Sequence, residues 1–410
     1  MQNTILLQVL AAAMALLTAP LIVDLVVCIT GNFRRPRQAR GQAPRPIRLA
    51  VVVPAHDEEP TVARTVHSLF AAGCSSCHSG APGRAGSGPW RVPVFVVAHN
   101  CCDATAANAA DAGARVIPFD NRRLHGKAAA LRIGFFAARA AGANAFLMVD
   151  ADSVVSSNLI AATRAALEKG AAATQCRYEL QLPRYASASF CARLRVLAFK
   201  GINVLRSRGR ARLGFSAGVF GNGFAVTDET LQRTPFSVDS ICEDLEYHIR
   251  LVAAGMRVEW IEEAAVLAPL VRARSAQAEQ EARWEGGRFR VATRGAGRLL
   301  SAVLRGNWRA LEMFAEAWSL PLSRAVLALA LMAFLPVHWL HLFAMAGAAV
   351  VLIYVLEAVM MGSERAKNLA ALTGTPLHVL RKLAITPLVL RQTRKSAEWA
   401  PTRREANVPW

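Results

Sequence analysis

The stretch "AFLMVDADSVVSSN", Ala145 to Asn158, joins a continuous apolar run to two aspartates one residue apart, Asp150 and Asp152. A short apolar run of this kind is typical of a buried strand in a parallel sheet. The paired carboxylates that follow it have two interpretations. They can hold a hard divalent cation, which prefers oxygen ligands and bridges to phosphate, or they can serve a turn or a helix N-cap.

Strand-like and helix-like runs alternate around this stretch, from Arg48 onward. The strand-like runs are "IRLAVVVPA", "VPVFVVAHN", "ARVIPF" and "AFLMVD", and the helix-like runs are "DEEPTVARTVHSLFAAG", "DATAANAADAG" and "GKAAALRIGFFAARAAG". This alternation predicts an α/β fold with a doubly wound, mostly parallel sheet. Ligands bind such sheets outside the carboxyl ends of the strands.

Acidic residues also follow the first two predicted strands, where Asp57, Glu58 and Asp103 stand. Because the carboxyl ends of parallel strands meet at one edge of a sheet, we expect these acids to share an edge with Asp150 and Asp152. Acids after three strands favour the metal interpretation of the Asp-x-Asp pair over an isolated turn.

Two further motifs lie downstream. Glu243 and Asp244 open a predicted helix, where a carboxylate is either a helix N-terminal acid or a general base. Gln280, Arg283 and Trp284 lie on one face of a later helix. That face is either a basic amphipathic surface at a membrane or a platform on which Trp stacks against a sugar while Arg binds diphosphate.

Apolar segments at the two ends of the chain predict membrane spans. Hydrophobic residues make up 53% of the 410 residues, above the roughly 45–50% of a soluble domain. Residues 5–31 have the length of a span, and residues 1–33 contain no Lys or Arg, which favours an uncleaved anchor over a signal peptide. The block from Ser319 to Gly362 fits two tight spans, or one span with a re-entrant or interfacial segment.

The basic residues predict the topology and the partners. They flank the apolar segments, which places the region between them in the cytoplasm and predicts a multi-pass protein of the inner membrane. The net charge of +19 therefore favours anionic lipid as a partner rather than nucleic acid. The mixed apolar and basic segment Phe190 to Arg212 is expected to be an interfacial helix and loop, with a plain surface helix as the alternative.

The segment "CSSCH", Cys74 to His78, has the spacing of a c-type haem attachment site. Haem attachment requires export, whereas this Gly/Ser/Pro-rich segment is predicted to be cytoplasmic. We therefore expect no haem here. An ordinary loop is the main interpretation, and a loop metal site is the alternative.

The ordered set of motifs resembles the membrane-bound glycosyltransferases of family 2. This group includes cellulose, chitin and hyaluronan synthases, with ceramide-type glucosyltransferases as neighbours. The similarity covers roughly Arg48 to Arg298 and the flanking anchors. It implies a GT-A-type domain at 49–298, within a chain that also has an N-terminal transmembrane anchor (1–33), a basic cytoplasmic linker (34–48), an interfacial amphipathic helix (299–318), about two transmembrane helices (319–362) and a basic cytoplasmic tail (363–410).

On the nucleoside side, the resemblance implies roles for four residues. Asp57 or Glu58 contacts the nucleoside, since "PAHDEE" stands where the family usually has Asn-Glu. Asp103 faces the uracil or ribose, and Lys127 in "HGKAAAL" approaches the nucleotide.

On the transfer side, Asp150 matches a diphosphate-side carboxylate and Asp152 the ligand of Mg²⁺ or Mn²⁺. Asp244 matches the catalytic base, with Glu243 beside it. Gln280, Arg283 and Trp284 match the synthase signature. The loop Gly218 to Val226 lies where the family has a Gly/Ser loop beside the acceptor, and Cys242 replaces the usual Thr.

The implied function is inverting transfer of a sugar from a UDP-sugar to a membrane-proximal carbohydrate or lipid acceptor, in the synthesis of a cell-envelope or extracellular polysaccharide. An exporter or a second copy of the chain is a possible partner. One alternative is a glucosyltransferase that adds a single sugar to a ceramide- or hopanoid-type lipid. Another is a membrane subunit that binds nucleotide and is catalytically silent.

Overall fold

The computed structural model describes residues 2–35, 45–75, 91–121, 124, 126–182, 189–238, 240, 242–270, 274–362 and 364–393. Most of the basic linker, the end of the Cys74–His78 segment and the last part of the tail lie outside these residues. The described residues form two units. A sheet unit lies within Gln38–Arg184 and Ser216–Ala273, and a helical unit lies within Met1–Arg37, Tyr185–Phe215 and Arg274–Ala397.

The described part of the sheet unit contains one mixed sheet in the order β3-β2-β1-β4-β7-β6-β8-β5. Its strands are β1 (Leu49–Ala55), β2 (Val94–His99), β3 (Arg115–Phe119), β4 (Ala145–Met148), β5 (Val154–Val155), β6 (Ala173–Gln181), β7 (Phe224–Thr227) and β8 (Val258–Pro269). The first four strands in this order are parallel, β6 and β8 are also parallel, and the other pairs are antiparallel. The expected α/β fold with a mostly parallel, GT-A-like sheet is confirmed.

Helices follow the strands and also form the second unit. In chain order they are α1 (Gln2–Asn32), α2 (Val62–Ser75), α3 (Thr105–Asp111), α4 (Lys127–Ala140), α5 (Leu159–Glu168), α6 (Phe190–Lys200), α7 (Ser207–Leu213), α8 (Asp228–Arg233), α9 (Glu243–Ala253), α10 (Arg274–Leu304), α11 (Arg309–Trp318), α12 (Leu322–Met332), α13 (His338–Met360), α14 (Arg365–Ala371), α15 (Thr375–Ala384) and α16 (Thr386–Gln392). A π-helical turn, Gly201–Arg206, joins α6 to α7.

Strand β1 is buried on both faces, which explains its continuous apolar sequence. Val51 and Val53 pack in one core cluster with Leu69 of α2, whereas Val52 packs in the other with Phe135 of α4. Helix α4 approaches the sheet closely. A Cβ added at Gly134 would lie 2.2 Å from a methyl group of Val52, so a larger residue there would push α4, and with it Lys127, away from the strand ends.

The helical unit contains two helices that are long and apolar enough to cross a membrane, namely α1 over Ile5–Asn32 and α13. Helices α11 and α12 meet at a 77° bend and pass the same test only as a pair. Among the described residues the candidate spans therefore number two, or three if α11 and α12 together form one, and about two spans in 319–362 stays a prediction. Helices α1 and α13 are thus candidate transmembrane spans.

The expected loop within Phe190 to Arg212 is wrong, because α6, the π-helical turn and α7 run through the whole segment. Its basic residues are also not all on the surface. Arg206 and Arg210 are buried and form ion pairs with Asp24 of α1, at 2.6 Å from Arg206 Nε and 3.2 Å from Arg210. Asp24, an acid within the candidate span α1, therefore has its ion-pair partners within the same unit.

Candidate active site

The sheet unit brings together three of the predicted site residues around Gly221. Asp150 follows β4, Lys127 opens α4 and Asp244 is the second residue of α9. The Lys127 ammonium group forms an ion pair with Asp150 and donates a hydrogen bond to the Gly221 carbonyl at 2.7 Å. A Cβ added at Gly221 would lie 3.2 Å from Lys127 Nζ and 3.6 Å from Asp244 Cβ, and the φ of +70° also favours glycine. Gly221 therefore leaves open the space between these groups.

The carboxylates at the start of α9 have raised pKa values. Burial is the main cause for Glu243, and repulsion by Asp244 adds to it, so that the pKa of Glu243 rises to about 7. Burial also raises the pKa of Asp244, although the N–H of Leu245 donates to its Oδ1 at 2.8 Å and opposes the shift. A carboxylate with a pKa above its usual range is better matched to proton transfer near neutral pH.

Lys127 remains a cation in this acidic surrounding. Burial alone would lower its pKa, but the attraction of Asp150 and Glu243 outweighs burial and raises the pKa above the usual value. A fixed cation beside Asp150 can bind a phosphate oxygen. The arrangement therefore joins a proton acceptor and an anion-binding group at one edge of the sheet.

A network of fully buried side chains holds the Asp-x-Asp turn, and the sequence analysis did not identify it. Asn222 accepts the backbone N–H of Asp150 at 3.1 Å and donates to Ser153 Oγ at 2.9 Å. The Ser153 hydroxyl in turn donates to Asp152 Oδ1 at 3.1 Å. Gln175 of β6 donates to the Asn222 carbonyl at 2.7 Å. The only sequence signal was the Gly-Asn-Gly run within the loop Gly218 to Val226.

The Asp-x-Asp pair has the chemistry of a magnesium or manganese site. Both side chains offer hard carboxylate oxygens, and Arg64 of α2 interacts electrostatically with Asp152. Among the described residues, no third Asp, Glu, His or Cys forms a compact ligand cluster with this pair. An ion bound here would take its other ligands from diphosphate and water, as Mg²⁺ does at sites with one or two carboxylates.

A second acidic cluster lies after β1 and β2. The ligand atoms of Asp57, Cys101 and Asp103 lie within 4.8 Å of one another, close enough to hold a metal ion. However, the carboxylates also bind the two loops, since Asp57 accepts the N–H of Cys102 at 2.7 Å and Asp103 accepts that of Glu59 at 3.0 Å. These bonds connect the two strand ends where the sequence analysis placed the nucleoside contacts.

The structure distinguishes the two acids of the first motif. The Glu58 carboxylate accepts the Thr61 hydroxyl at 2.7 Å, at the start of α2, whereas Asp57 is exposed. Asp57 and Asn100 both have a φ of +52°, and each stands just after its strand. Left-handed non-glycine residues are uncommon and cluster at functional sites. Asp57 is thus more accessible to a ligand than Glu58.

The Gln280, Arg283 and Trp284 motif lies on α10, in the helical unit. The Trp284 ring is 45% exposed and packs on Phe199 with ring centroids 6.2 Å apart. Gln280 and Arg283 are half-buried. The three side chains belong to one helix, as the sequence spacing predicted, and to a different unit from the carboxylates of the sheet.

Family models match most of the folded chain. The model described as glycosyl transferase family group 2 matches residues 145–361, and the model described as glycosyl transferase family 2 matches residues 50–186. The chain belongs to glycosyl transferase family group 2. Both the Asp-x-Asp turn and the Glu243–Asp244 helix lie within the first match, and the first two acidic motifs lie within the second.

Solved structures are also similar to this chain, and a mannosyltransferase among them shares its fold. A mannosyltransferase from Pyrobaculum calidifontis, solved with GDP-Man and Mn²⁺, is 18% identical with a TM-score of 0.52, over 90% of this chain and 98% of that chain. A mannosyl-3-phosphoglycerate synthase from Rubrobacter xylanophilus is 16% identical with a TM-score of 0.40, over 63% of this chain and 75% of that chain. A glucosyl-3-phosphoglycerate synthase from Mycobacterium tuberculosis was solved with Mn²⁺, UDP and phosphoglyceric acid. It is 19% identical with a TM-score of 0.33, over 52% of this chain and 68% of that chain. No curated protein matches the sequence.

Proposed function

We propose that this family 2 chain transfers a sugar from a nucleoside diphosphate sugar to a hydroxyl group of an acceptor at a membrane. The observation that carries the proposal is the convergence of Lys127, Asp150 and Asp244 around Gly221. A cation beside a diphosphate-side carboxylate and a carboxylate base across an open glycine are the groups that such a transfer needs.

In this mechanism Asp244 accepts the proton of the acceptor hydroxyl, whose oxygen attacks the anomeric carbon as the nucleoside diphosphate departs. The Leu245 N–H fixes Asp244 Oδ1 at 2.8 Å, which leaves Oδ2 for the proton. Attack from the face opposite the leaving group is a single displacement and inverts the anomeric carbon. Lys127 compensates the charge that grows on the departing diphosphate.

Asp150 and Asp152 are the residues that would hold Mg²⁺ or Mn²⁺. A bound ion supplies Lewis-acid stabilisation of the leaving diphosphate. Asn222 and Ser153 hold the backbone of Asp150 and the carboxylate of Asp152 through the hydrogen bonds described above. Glu243 contributes to the field at the site by repelling the negative charge of Asp244.

The donor is proposed to be a UDP-sugar on the strength of the family resemblance, with Asp57 and Asp103 contacting the nucleoside. GDP-mannose is the competing donor, because the Pyrobaculum calidifontis mannosyltransferase was solved with GDP-Man. The candidate spans α1 and α13 support an acceptor at the inner membrane. Polysaccharide elongation and addition of one sugar to a lipid both fit this placement. Gln280, Arg283 and Trp284 are proposed to contribute to the donor or acceptor site.

The test is release of nucleoside diphosphate by the purified chain, across UDP- and GDP-sugars, with native lipids and with or without Mn²⁺ or Mg²⁺. We expect release with one donor that requires the metal and is abolished by Asp244→Asn. The matched control is Asp111→Asn, which makes the same change at an exposed position at the end of α3. Nucleotide binding with no release by the unchanged chain would favour the silent-subunit alternative. Equal release by Asp244→Asn would instead reject Asp244 as the base.

A further inference from the structure

In helix α15 of the helical unit, the basic side chains are partly buried and two leucine side chains are exposed. His378, Arg381 and Lys382 recur at helical spacing and are half-buried. Leu377 and Leu380 of the same helix are 63% and 62% exposed. A helix on the surface of a soluble protein has the reverse arrangement.

The inner face of α15 is bound to α10 by specific polar contacts. Lys382 Nζ lies 3.0 Å from a carboxylate oxygen of Glu281 and 3.0 Å from one of Glu285. Arg381 donates to the Gln277 side chain at 2.8 Å. The Glu281 carboxylate is only 8% exposed, so its pairing with Lys382 is a buried contact and fixes which face of α15 points inward.

The exposed leucines extend beyond α15. Leu369 of α14 is 53% exposed and Leu390 of α16 is 60% exposed. We call Leu369, Leu377, Leu380 and Leu390 the leucine face. Helix α16 also has an inner apolar side, because Ile385 and Val389 pack on Ala282 of α10. These four leucines therefore remain exposed after the helices have packed on α10 and its neighbours. Exposed apolar side chains on consecutive helices indicate an interaction site where they form a continuous patch.

Position and charge identify the partner. The candidate span α13 ends at Met360 and α14 begins at Arg365, so a membrane that contains α13 has its boundary a few residues before α14. Arg365 and Lys367 of α14 and Arg391 of α16 are exposed, on either side of α15 in the chain. Helices with leucines on one face and basic residues beside them lie in the interface of anionic bilayers.

We propose that Arg365–Gln392 lies in the interface of an anionic bilayer, with the leucine face at the acyl boundary. The lipid then covers the leucines of α15, while Lys382 and Arg381 connect the segment to α10. Through these contacts, the segment Arg365–Gln392 fixes α10, the helix that carries Gln280, Arg283 and Trp284, next to the bilayer. This is a different state from the free basic cytoplasmic tail that the sequence predicted for 363–410. The inference depends on α13 spanning a membrane and not on the proposed sugar transfer.

The test measures the depth of the leucine face in lipid, using the full chain in nanodiscs. A nitroxide-bearing amino acid is incorporated genetically in place of Leu377 or Leu380, so that the eight native cysteines stay unchanged. The matched control carries it in place of Phe136, which is 73% exposed on α4 of the sheet unit. Spin relaxation by oxygen, which concentrates in the bilayer, is compared with relaxation by a water-soluble nickel chelate.

In discs that contain phosphatidylglycerol, we expect the labels at Leu377 and Leu380 to respond to oxygen and to be shielded from nickel. The label at Phe136 should respond in the opposite way. In discs of phosphatidylcholine alone, the shielding at Leu377 and Leu380 should decrease. Nickel access equal to that of the Phe136 label would overturn the proposal. So would strong dipolar coupling between labels on two chains, because a second copy would then cover the leucine face. None of these readouts requires turnover.

Discussion

The side-chain oxygen of Asn222 accepts the backbone N–H of Asp150 at 3.1 Å. The amide nitrogen of the same side chain reaches Asp152 through the Ser153 hydroxyl. One buried amide from the loop before β7 thus holds the backbone of Asp150 and, through Ser153, the carboxylate of Asp152. At a metal site, changing residues that orient the ligands typically costs about 10–100-fold in metal affinity or activity.

Asn222→Asp should lower kcat by roughly 10–100-fold. The carboxylate still accepts the Asp150 N–H, but it cannot donate to Ser153 and it adds negative charge beside Asp150. The activation curve for Mn²⁺ should change along with kcat, while the KM for the acceptor should not. Asn158→Asp is the control, since Asn158 donates to the Glu263 carbonyl at 2.9 Å, outside the Asp-x-Asp network. Wild-type kcat and metal activation in Asn222→Asp would show that the network does not orient the acids.

The acidic limb of the rate profile should lie above the usual carboxylate range. The proposed base Asp244 must lose its proton before it can act, and burial raises its pKa, as it raises the pKa of the neighbouring Glu243 to about 7. Activity should therefore increase as the pH rises towards neutrality. Glu243→Gln removes a repulsive charge, so the limb should move to lower pH, whereas Asp244→Asn should remove activity at every pH. A limb that stays in place in Glu243→Gln would contradict the coupling of the two acids.

The raised pKa of Glu243 should also make the stability of the folded protein depend on pH. A group whose pKa is higher in the folded state binds more protons there, so the free energy of unfolding falls as the pH rises between the two pKa values. For Glu243 this range extends from the ordinary value near 4.5 to about 7. Thermal unfolding in detergent should therefore show that Glu243→Gln raises Tm more at about pH 8 than at about pH 5. An equal change in Tm at both pH values would contradict a raised pKa of Glu243 in the folded state.

The fold around the site could be predicted from the sequence because its central strands are continuous apolar runs. Strands β1, β2 and β4 are buried almost throughout, and that burial is visible as composition, whereas the edge strand β3 is partly exposed. The four residues of β7 could not be identified, since a short strand inside a Gly-rich loop has no period to detect. Asn222 was missed for the same reason. Its role depends on hydrogen bonds to residues about 70 positions earlier in the chain.

Helix α15 shows a second reason why a sequence pattern does not predict how a helix packs. A helical period in the sequence gives two faces, one apolar and one charged, but it does not say which face is buried. In α15 the answer depends on Glu281 and Glu285, nearly a hundred residues away from Lys382. Likewise, Arg206 and Arg210 suggested a membrane surface until their partner Asp24 was known. Long-range ion pairs decide both cases, and single-sequence patterns do not contain them.

Gly31 and Gly209 should not tolerate a side chain. A Cβ at Gly31 would lie 1.9 Å from the Gly209 carbonyl oxygen, and one at Gly209 would lie 2.2 Å from that of Cys28. Gly209→Ala should therefore force α7 away from α1 and destabilise the helical unit by about 1–3 kcal/mol. The control is Gly297→Ala in α10, where no atom lies within 4 Å of the added Cβ. That change should stabilise by about 0.5–1 kcal/mol. Equal Tm values for the two variants would refute the close contact.

The ion pairs of Asp24 should be essential for the stability of the helical unit and coupled to their partners. Asp24→Asn leaves Arg206, itself 6% exposed, without its carboxylate at 2.6 Å, and should cost about 3–5 kcal/mol. After Asp24→Asn, Arg206 keeps the longer ion pair with Glu316 at 3.8 Å. Adding Arg206→Met removes this poorly compensated charge, so the double variant should recover part of the loss. The exposed pair Arg45 and Glu229 is the comparison, because Glu229→Gln should cost less than about 1 kcal/mol. Thermal unfolding of the four combinations gives the coupling energy. Strict additivity of the two single changes would mean that Asp24 stabilises α1 by some means other than Arg206.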